Sequence, residues 1–196
     1  DYVHLHNHTQ YSLLDGLTKF PQLFDFVKEH NMQSIAMTDH GTLSGAIDFY
    51  KTAIANNIKP IIGIETYIAS RKHTDKDPVK DKQRFHLILL AMNHTGYQNL
   101  MKLSTIANLE GYYYFPRIDH DLIEQYNEGI IALSACMGGE VGDALKQGQY
   151  DKAKEVAMWY KSVFGDRYYL EIQDHGHPKN PLHNQENKKL MNWSLS

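Results

Sequence analysis

The chain has 196 residues, enough for a single domain with a sizeable core and too few for two ordinary ones. With 42% hydrophobic and 22% charged residues it is neither disordered nor fibrous, and a formal net charge of −3 gives no overall drive toward nucleic acid. No apolar run approaches the roughly 20 residues that cross a bilayer, and Asp1-Tyr2-Val3-His4 lacks the basic and apolar regions of a signal peptide, so neither a membrane nor export is indicated.

In chain order, residues 2–6 read as a first strand and residues 20–30 as a helix with Phe20, Leu23, Phe24 and Val27 on one face. Residues 34–37 form a second strand. Residues 43–56 carry Ala46, Ile47, Phe49, Tyr50, Ala53 and Ile54 at helical spacing, and residues 59–68 return as an apolar strand. Residues 71–84, with four Lys and two Arg against three Asp, are the best candidate for a local basic patch, although a solvated loop is the plainer reading. Strands over 85–91, 129–133 and 168–172 then alternate with helices over 96–109, 121–126, 141–146 and 152–164, and residues 184–195 begin a further helix. This alternation is that of repeated βα units around a parallel sheet or barrel. In such barrels functional side chains gather at the carboxyl ends of strands and in the loops that follow.

Twelve histidines is the unusual count, because histidine is scarce and is the commonest metal ligand. In His4-Leu5-His6 two imidazoles on a strand share a face and can chelate one ion. An isolated pair of this kind is as often exposed or bonded to backbone. Thr38-Asp39-His40-Gly41 follows the second strand, where His40 can ligate and Asp39 can complete the shell or merely cap a helix. Glu65 ends the apolar run Ile61-Ile62-Gly63-Ile64, where an unpaired carboxylate is expensive and a ligand bridging two metals is favourable. His86 stands within another apolar strand, and Cys136 follows Leu133-Ser134-Ala135, where a thiolate can join a zinc-like ion. Singly, His86 reads as a core histidine and Cys136 as a buried thiol. Five such residues at successive strand ends point instead to one metal cluster at a barrel mouth. As the only cysteine, Cys136 forms no internal disulfide and fits a reducing, cytoplasmic compartment.

Longer strings carry a resemblance: His4-Leu5-His6-Asn7-His8-Thr9, Tyr11-Ser12-Leu13-Leu14-Asp15-Gly16, Thr38-Asp39-His40-Gly41, Gly96-Tyr97-Gln98-Asn99-Leu100 and Pro116-Arg117-Ile118-Asp119. In this order they resemble the PHP (polymerase and histidinol phosphatase) domain family, and within it the amino-terminal domains of bacterial DNA polymerase III alpha subunits, over essentially the whole chain. The resemblance implies an α/β fold, a distorted (β/α)7 TIM-like barrel, in one domain over residues 1–196 that is a carboxy-terminally incomplete fragment of a larger polymerase. It implies two to three divalent metal ions, zinc or else manganese or iron, held by His4, His6, Asp15, His40, Glu65, His86 and Cys136. His6, Asp15, Glu65 and His86 would be catalytic. Two further family ligands, an Asp and a His, are expected beyond residue 196, and His175 is the candidate to stand in for one.

The implied chemistry is metal-dependent phosphoester hydrolysis of the 3′–5′ exonuclease type, in DNA replication. Polymerisation, with its Mg2+, would belong to downstream domains; DNA, those domains and a separate proofreading exonuclease subunit are the implied partners. A scaffold that docks that subunit without catalysis is one alternative. A free-standing phosphoesterase resembling histidinol phosphatase is another, which the strings around Asp15 and Tyr97 disfavour. The remaining histidines, His8, His30, His73, His94, His120, His177 and His183, are expected on the surface, at caps or in loops, with His73 in the solvated loop. Arg117 can bind a phosphate or form a structural ion pair. The run Tyr112-Tyr113-Tyr114-Phe115 can stack on nucleic-acid bases, with packing the safer reading.

Overall fold

The computed structural model describes residues 2–13 and 15–173, so His175, His177, His183 and the helix expected over 184–195 lie outside the described residues. The elements are α1 (Phe20–Glu29), β1 (Ser34–Met37), α2 (Ala46–Ala55), β2 (Lys59–Ala69), β3 (Arg84–Ala91), α3 (His94–Leu109), β4 (Arg117–Ile118), α4 (His120–Tyr126), β5 (Ile130–Leu133), α5 (Glu140–Lys146), α6 (Tyr150–Phe164) and β6 (Tyr168–Tyr169). Helix α1 opens with a Pro in its first turn and buries Phe20, Leu23, Phe24 and Val27, the stripe its spacing predicts. Asn93 and Asp119 cap α3 and α4 by accepting from the Gly96 and Leu122 amides. Among the described residues no helix is long and apolar enough to cross a membrane.

The 11-residue strand β2 is the hub of the sheet. Along one edge it pairs parallel with β1 at its start and with β4 at its end, and a bridge between His40 and Glu65 fills the gap between them. Along its other edge β3 runs antiparallel, from Gly63 opposite Leu90 to Ala69 opposite Arg84. β3 is also antiparallel to β5, which pairs parallel with β6.

Two expectations are corrected here. β3 opposes both its neighbours, because residues 70–83 return the chain at the same end of the sheet instead of crossing it through a helix. The sheet also stays open among the described residues, in the order β1-β2-β3-β5-β6. The strand expected over 2–6 is extended chain instead. His4 O accepts from Ala36 N and Asn7 O from Thr38 N, but the Asn7 side chain occupies the Ala36 carbonyl, so no regular ladder forms.

Side-chain alternation gives the sheet two faces. Ile64, Ile68, Leu87, Leu89 and Ala132 join the large core with residues of α3 to α6, while α1 and α2 pack over Ile35 and Met37 of β1. On the opposite face Ala36, Ile88, Leu90 and Leu133 form a small apolar cluster. Glu65 stands opposite Ile88 in register, and His86 precedes Ile88 by two residues, so both polar groups share this second face.

Candidate metal centre

Glu65 is 1% exposed, and four imidazoles surround its carboxylate. His40 Nδ1, His8 Nε2 and His6 Nε2 stand 2.9, 3.0 and 3.3 Å from Oε2, and His86 Nδ1 stands 2.6 Å from Oε1. Burial pushes the Glu65 pKa up, but the close approach of the His40, His6, His8 and His86 nitrogens outweighs it and holds the carboxyl well below the usual carboxylate range. Asp15 Oδ2 lies 3.0 Å from His40 Nε2. It is carried by a tight turn in which Ser12 N donates to Thr9 O and Gly16 N to Ser12 O. Only glycine fits at position 16, since a Cβ there would meet the Thr9 carbonyl oxygen at 1.8 Å. The buried Asp39 ties this turn down, accepting from Thr9 N, Thr9 Oγ1 and Ser12 Oγ at 2.6, 2.8 and 2.7 Å. Asp39 therefore positions the loop rather than completing the cluster.

Proton positions follow from these bonds. The single Ser12 hydroxyl proton goes to Asp39, so His8 Nδ1, 3.3 Å from Ser12 Oγ, is the donor there. Glu171 Oε1, an anionic acceptor 2.7 Å from His6 Nδ1, is closer than the Gln173 amide nitrogen at 3.1 Å and places the His6 proton on Nδ1 as well. Both Nε2 atoms, 3.2 Å apart, then turn lone pairs toward Glu65 Oε2. Three acceptors facing one another need a positive charge among them, either a proton or a metal ion. Without metal, protons fill that role: burial would lower the His6 pKa, but Glu171 and Glu65 raise it to about 10. His40 Nδ1, although close to Glu65, is buried and misaligned for a hydrogen bond, an orphaned nitrogen that a cation would satisfy.

His6, His8 and Glu65 offer ligand atoms within 4.8 Å of one another, and so do Glu65, His86 and Cys136. Glu65 belongs to both groups, as a bridging carboxylate would. Cys136 Sγ lies 4.0 Å from His86 Nδ1 and accepts from Gly138 N at 3.3 Å. Burial raises the Cys136 pKa, yet His86 and the Gly138 amide bring it below the ordinary thiol value, which favours a thiolate ligand. Burial likewise lowers His86, but Cys136 and Glu65 raise it to about 9. Just before the thiol, Ala135 adopts φ +60°, a left-handed conformation rare for alanine, which turns the chain sharply at the end of β5. Nitrogen, carboxylate and sulfur donors together fit a divalent ion of the zinc class.

Of the seven residues expected as ligands, His6, Asp15, His40, Glu65, His86 and Cys136 are brought together and His4 is not. The His4 ring packs at 4.8 Å from Tyr2 and 6.4 Å from Phe26, centre to centre. His8, expected at the surface, at a cap or in a loop and given no ligand role, lies in a loop and faces Glu65 in its stead. His4, His6 and His8 share one spacing, so spacing alone cannot choose between the two pairs. The available signal was the polar Thr9 and Ser12 that follow His8 and anchor its loop. His8→Ala is expected to weaken Zn2+ binding at least about a hundredfold, since even outer-shell losses cost 10–100-fold, whereas His4→Ala leaves it unchanged. Competition with a chromophoric chelator measures both, and the reverse order would restore His4 as the ligand. Glu171, which no motif marked, is the other residue missed.

Other expectations also change. His73 is not solvated: its Nδ1 and backbone amide both bond Asp119 Oδ2, at 2.6 and 2.9 Å. Arg117, 1% exposed, forms neither a phosphate site nor an ion pair among the described residues, but donates to the carbonyls of Gly111, Asp81, His73 and Asp75. Two cations of the basic loop are paired, Arg71 with Asp81 of the same loop through two bonds and Lys72 with Asp121 of α4.

Comparisons with known proteins identify the family and the fold. The PHP domain family matches residues 4–175. The DNA polymerase III alpha subunit of Deinococcus radiodurans is 47% identical over 191 residues, that of Borreliella burgdorferi 50% over 176, and that of Thermus aquaticus 46% over 193. These alignments cover 93%, 89% and 96% of this chain but only 14%, 15% and 16% of the relatives, so the chain spans about a seventh of their length. A solved structure from Bifidobacterium adolescentis, assigned as a metal-dependent phosphoesterase, shares the fold at 13% identity with a TM-score of 0.55, covering 98% of this chain and 83% of that one.

Proposed function

Because the chain belongs to the PHP domain family, we propose that it is the PHP domain of a bacterial DNA polymerase III alpha subunit, and that it trims single-stranded DNA from the 3′ end by metal-dependent phosphodiester hydrolysis. The observation that carries this reading is Glu65, a buried carboxylate ringed by four imidazoles and common to two ligand triplets. His6, His8 and Glu65 would hold one divalent ion and Glu65, His86 and Cys136 a second, with His40 and Asp15 beside them. Zinc suits these donors first, and manganese or iron are compatible. Such ions lower the pKa of a water and stabilise charge on the attacking and leaving oxygens. The chain's own residues hold the constellation in place: Glu171 and Ser12 keep the His6 and His8 protons on Nδ1, and Asp39 fixes the turn that bears Asp15.

On the same reading the open sheet is part of a distorted (β/α)7 barrel. DNA, further polymerase domains with their own Mg2+, and a proofreading exonuclease subunit are the partners, in a reducing cytoplasm that keeps Cys136 a thiol. The test is to strip the chain of metal, reload it with Zn2+ or Mn2+, and incubate it with 5′-labelled single-stranded DNA beside His6→Ala. Wild type is expected to shorten the DNA stepwise from its 3′ end, at least about a hundredfold faster than the variant. Equal rates, or no shortening by either, would sink the hydrolytic reading and leave a scaffold role.

A further inference from the structure

Beside the candidate metal centre lies a cation that no acidic group among the described residues neutralises. Arg84 precedes His86 by two residues on β3, so the two side chains share the face that carries Glu65, with backbones about 7 Å apart along the strand. The Arg84 guanidinium lies over the Phe115 ring at 3.5 Å and 5.6 Å from the centre of the Tyr67 ring. Tyr67 stands opposite His86 in register, its ring 5.4 Å from His86 and 6.0 Å from His40. Arg84 has no carboxylate partner among the described residues, and its buried Nε has no hydrogen-bond partner. An unpaired guanidinium, flattened on an aromatic ring one pleat from a metal ligand, matches what an anionic phosphate needs.

The residue before Phe115 adds a second element. Tyr114 has φ +60°, a left-handed conformation that costs a bulky residue on the order of 1–3 kcal/mol and persists only where its surroundings impose it. The Tyr113 amide donates to the Phe115 carbonyl at 3.1 Å across it, while the Tyr113 ring faces the Arg117 guanidinium at 5.3 Å. Tyr114 is 69% exposed, with its ring edge-on to that of Tyr113 at 4.7 Å between centres. Strain that holds an exposed tyrosine one residue along the chain from the ring under an unpaired cation suits stacking on a nucleobase.

We propose that Arg84 and Tyr114 form a rim subsite for single-stranded DNA, Arg84 taking a backbone phosphate next to the scissile one and Tyr114 stacking on a base. The inference rests on the proposed reading of the metal centre but is tested separately, by anisotropy of a fluorescein-labelled single-stranded oligonucleotide with the metal-free chain in EDTA. Arg84→Ala is expected to weaken binding about tenfold and to lower the slope of log K against log salt by about 0.7, the share of one phosphate contact on a single strand. Tyr114→Gly should weaken binding about tenfold, as loss of one stacked base does, without changing the salt slope. Because glycine relieves the left-handed strain, its melting temperature should fall by no more than about 3 °C, which separates lost stacking from lost fold. Tyr114→Phe should bind as wild type.

Binding that survives both substitutions, or equal affinity for a duplex of the same sequence, overturns the subsite. Oligonucleotide binding through Arg84 in a chain that hydrolyses nothing keeps the subsite and removes only the catalytic reading. Hydrolysis whose KM is unmoved by Arg84→Ala does the opposite.

Discussion

Glu65→Gln should abolish metal retention and slow metal-dependent hydrolysis on the order of a thousandfold or more, since several kcal/mol of charge stabilisation depend on the ions this carboxylate would bridge. The substitution preserves shape but places amide protons before nitrogens that the present bonding leaves as lone pairs. A second consequence appears without metal. His6 and His86 titrate near 10 and 9 instead of the ordinary 6.5, so the stability they confer is complete below about pH 6.5 and is lost as pH rises through 9 to 10. Glu65, held below its ordinary 4.5, confers stability that is present above that value and lost as pH falls. The metal-free chain should therefore melt highest between roughly pH 4.5 and 6.5 and lower toward pH 10. Added Zn2+ should remove the alkaline decline by taking the place of the protons, and Glu65→Gln should flatten it. Metal analysis after dialysis and melting curves across pH decide the matter; a variant with wild-type metal content and an unchanged alkaline slope would contradict it.

Arg117→Met should destabilise the fold by about 3–5 kcal/mol, because four backbone carbonyls lose a charged donor and unsatisfied buried acceptors cost about 1–3 kcal/mol each where water does not replace it. Four carbonyls from two segments, His73, Asp75 and Asp81 of one loop and Gly111 after α3, converge on one guanidinium. Its removal uncovers those oxygens and leaves the loop over 73–81 tied to Asp119 through His73. For a chain of this length the melting temperature should fall by about 10–15 °C, and lysine, with one donor group in place of a fork, should recover only part of the loss. A fall below about 2 °C would mean that ordered water satisfies the carbonyls unaided.

The helices and most strands were legible because their apolar spacing reports a buried stripe directly, as Phe20, Leu23, Phe24 and Val27 do. Strand direction was not, since an apolar run such as residues 85–91 reads the same whichever way its neighbours run. Only the loop over 70–83 decided that β3 returns antiparallel. β4, two residues long, has no pattern to read. In the site, Glu65 and His86 were marked by their expense inside apolar strands. His8 was not, because three histidines at equal spacing leave the choice to tertiary contacts with Ser12 and Glu65. Glu171 and Arg117 act through bonds to groups far away in sequence, which no local pattern records.

The candidate ligands gathered around Glu65 are remote along the chain: His6 and Glu65 are 59 residues apart, His86 and Cys136 are 50. An ion at Glu65 would close both spans at once, like a covalent staple, and would bind only the folded chain. At a hundred times its dissociation constant it would add about 2.7 kcal/mol. Metal supply would then govern how long the fold lasts against proteases, and the segment bearing His6 and His8 could not peel from the sheet until a chelator withdrew the ion.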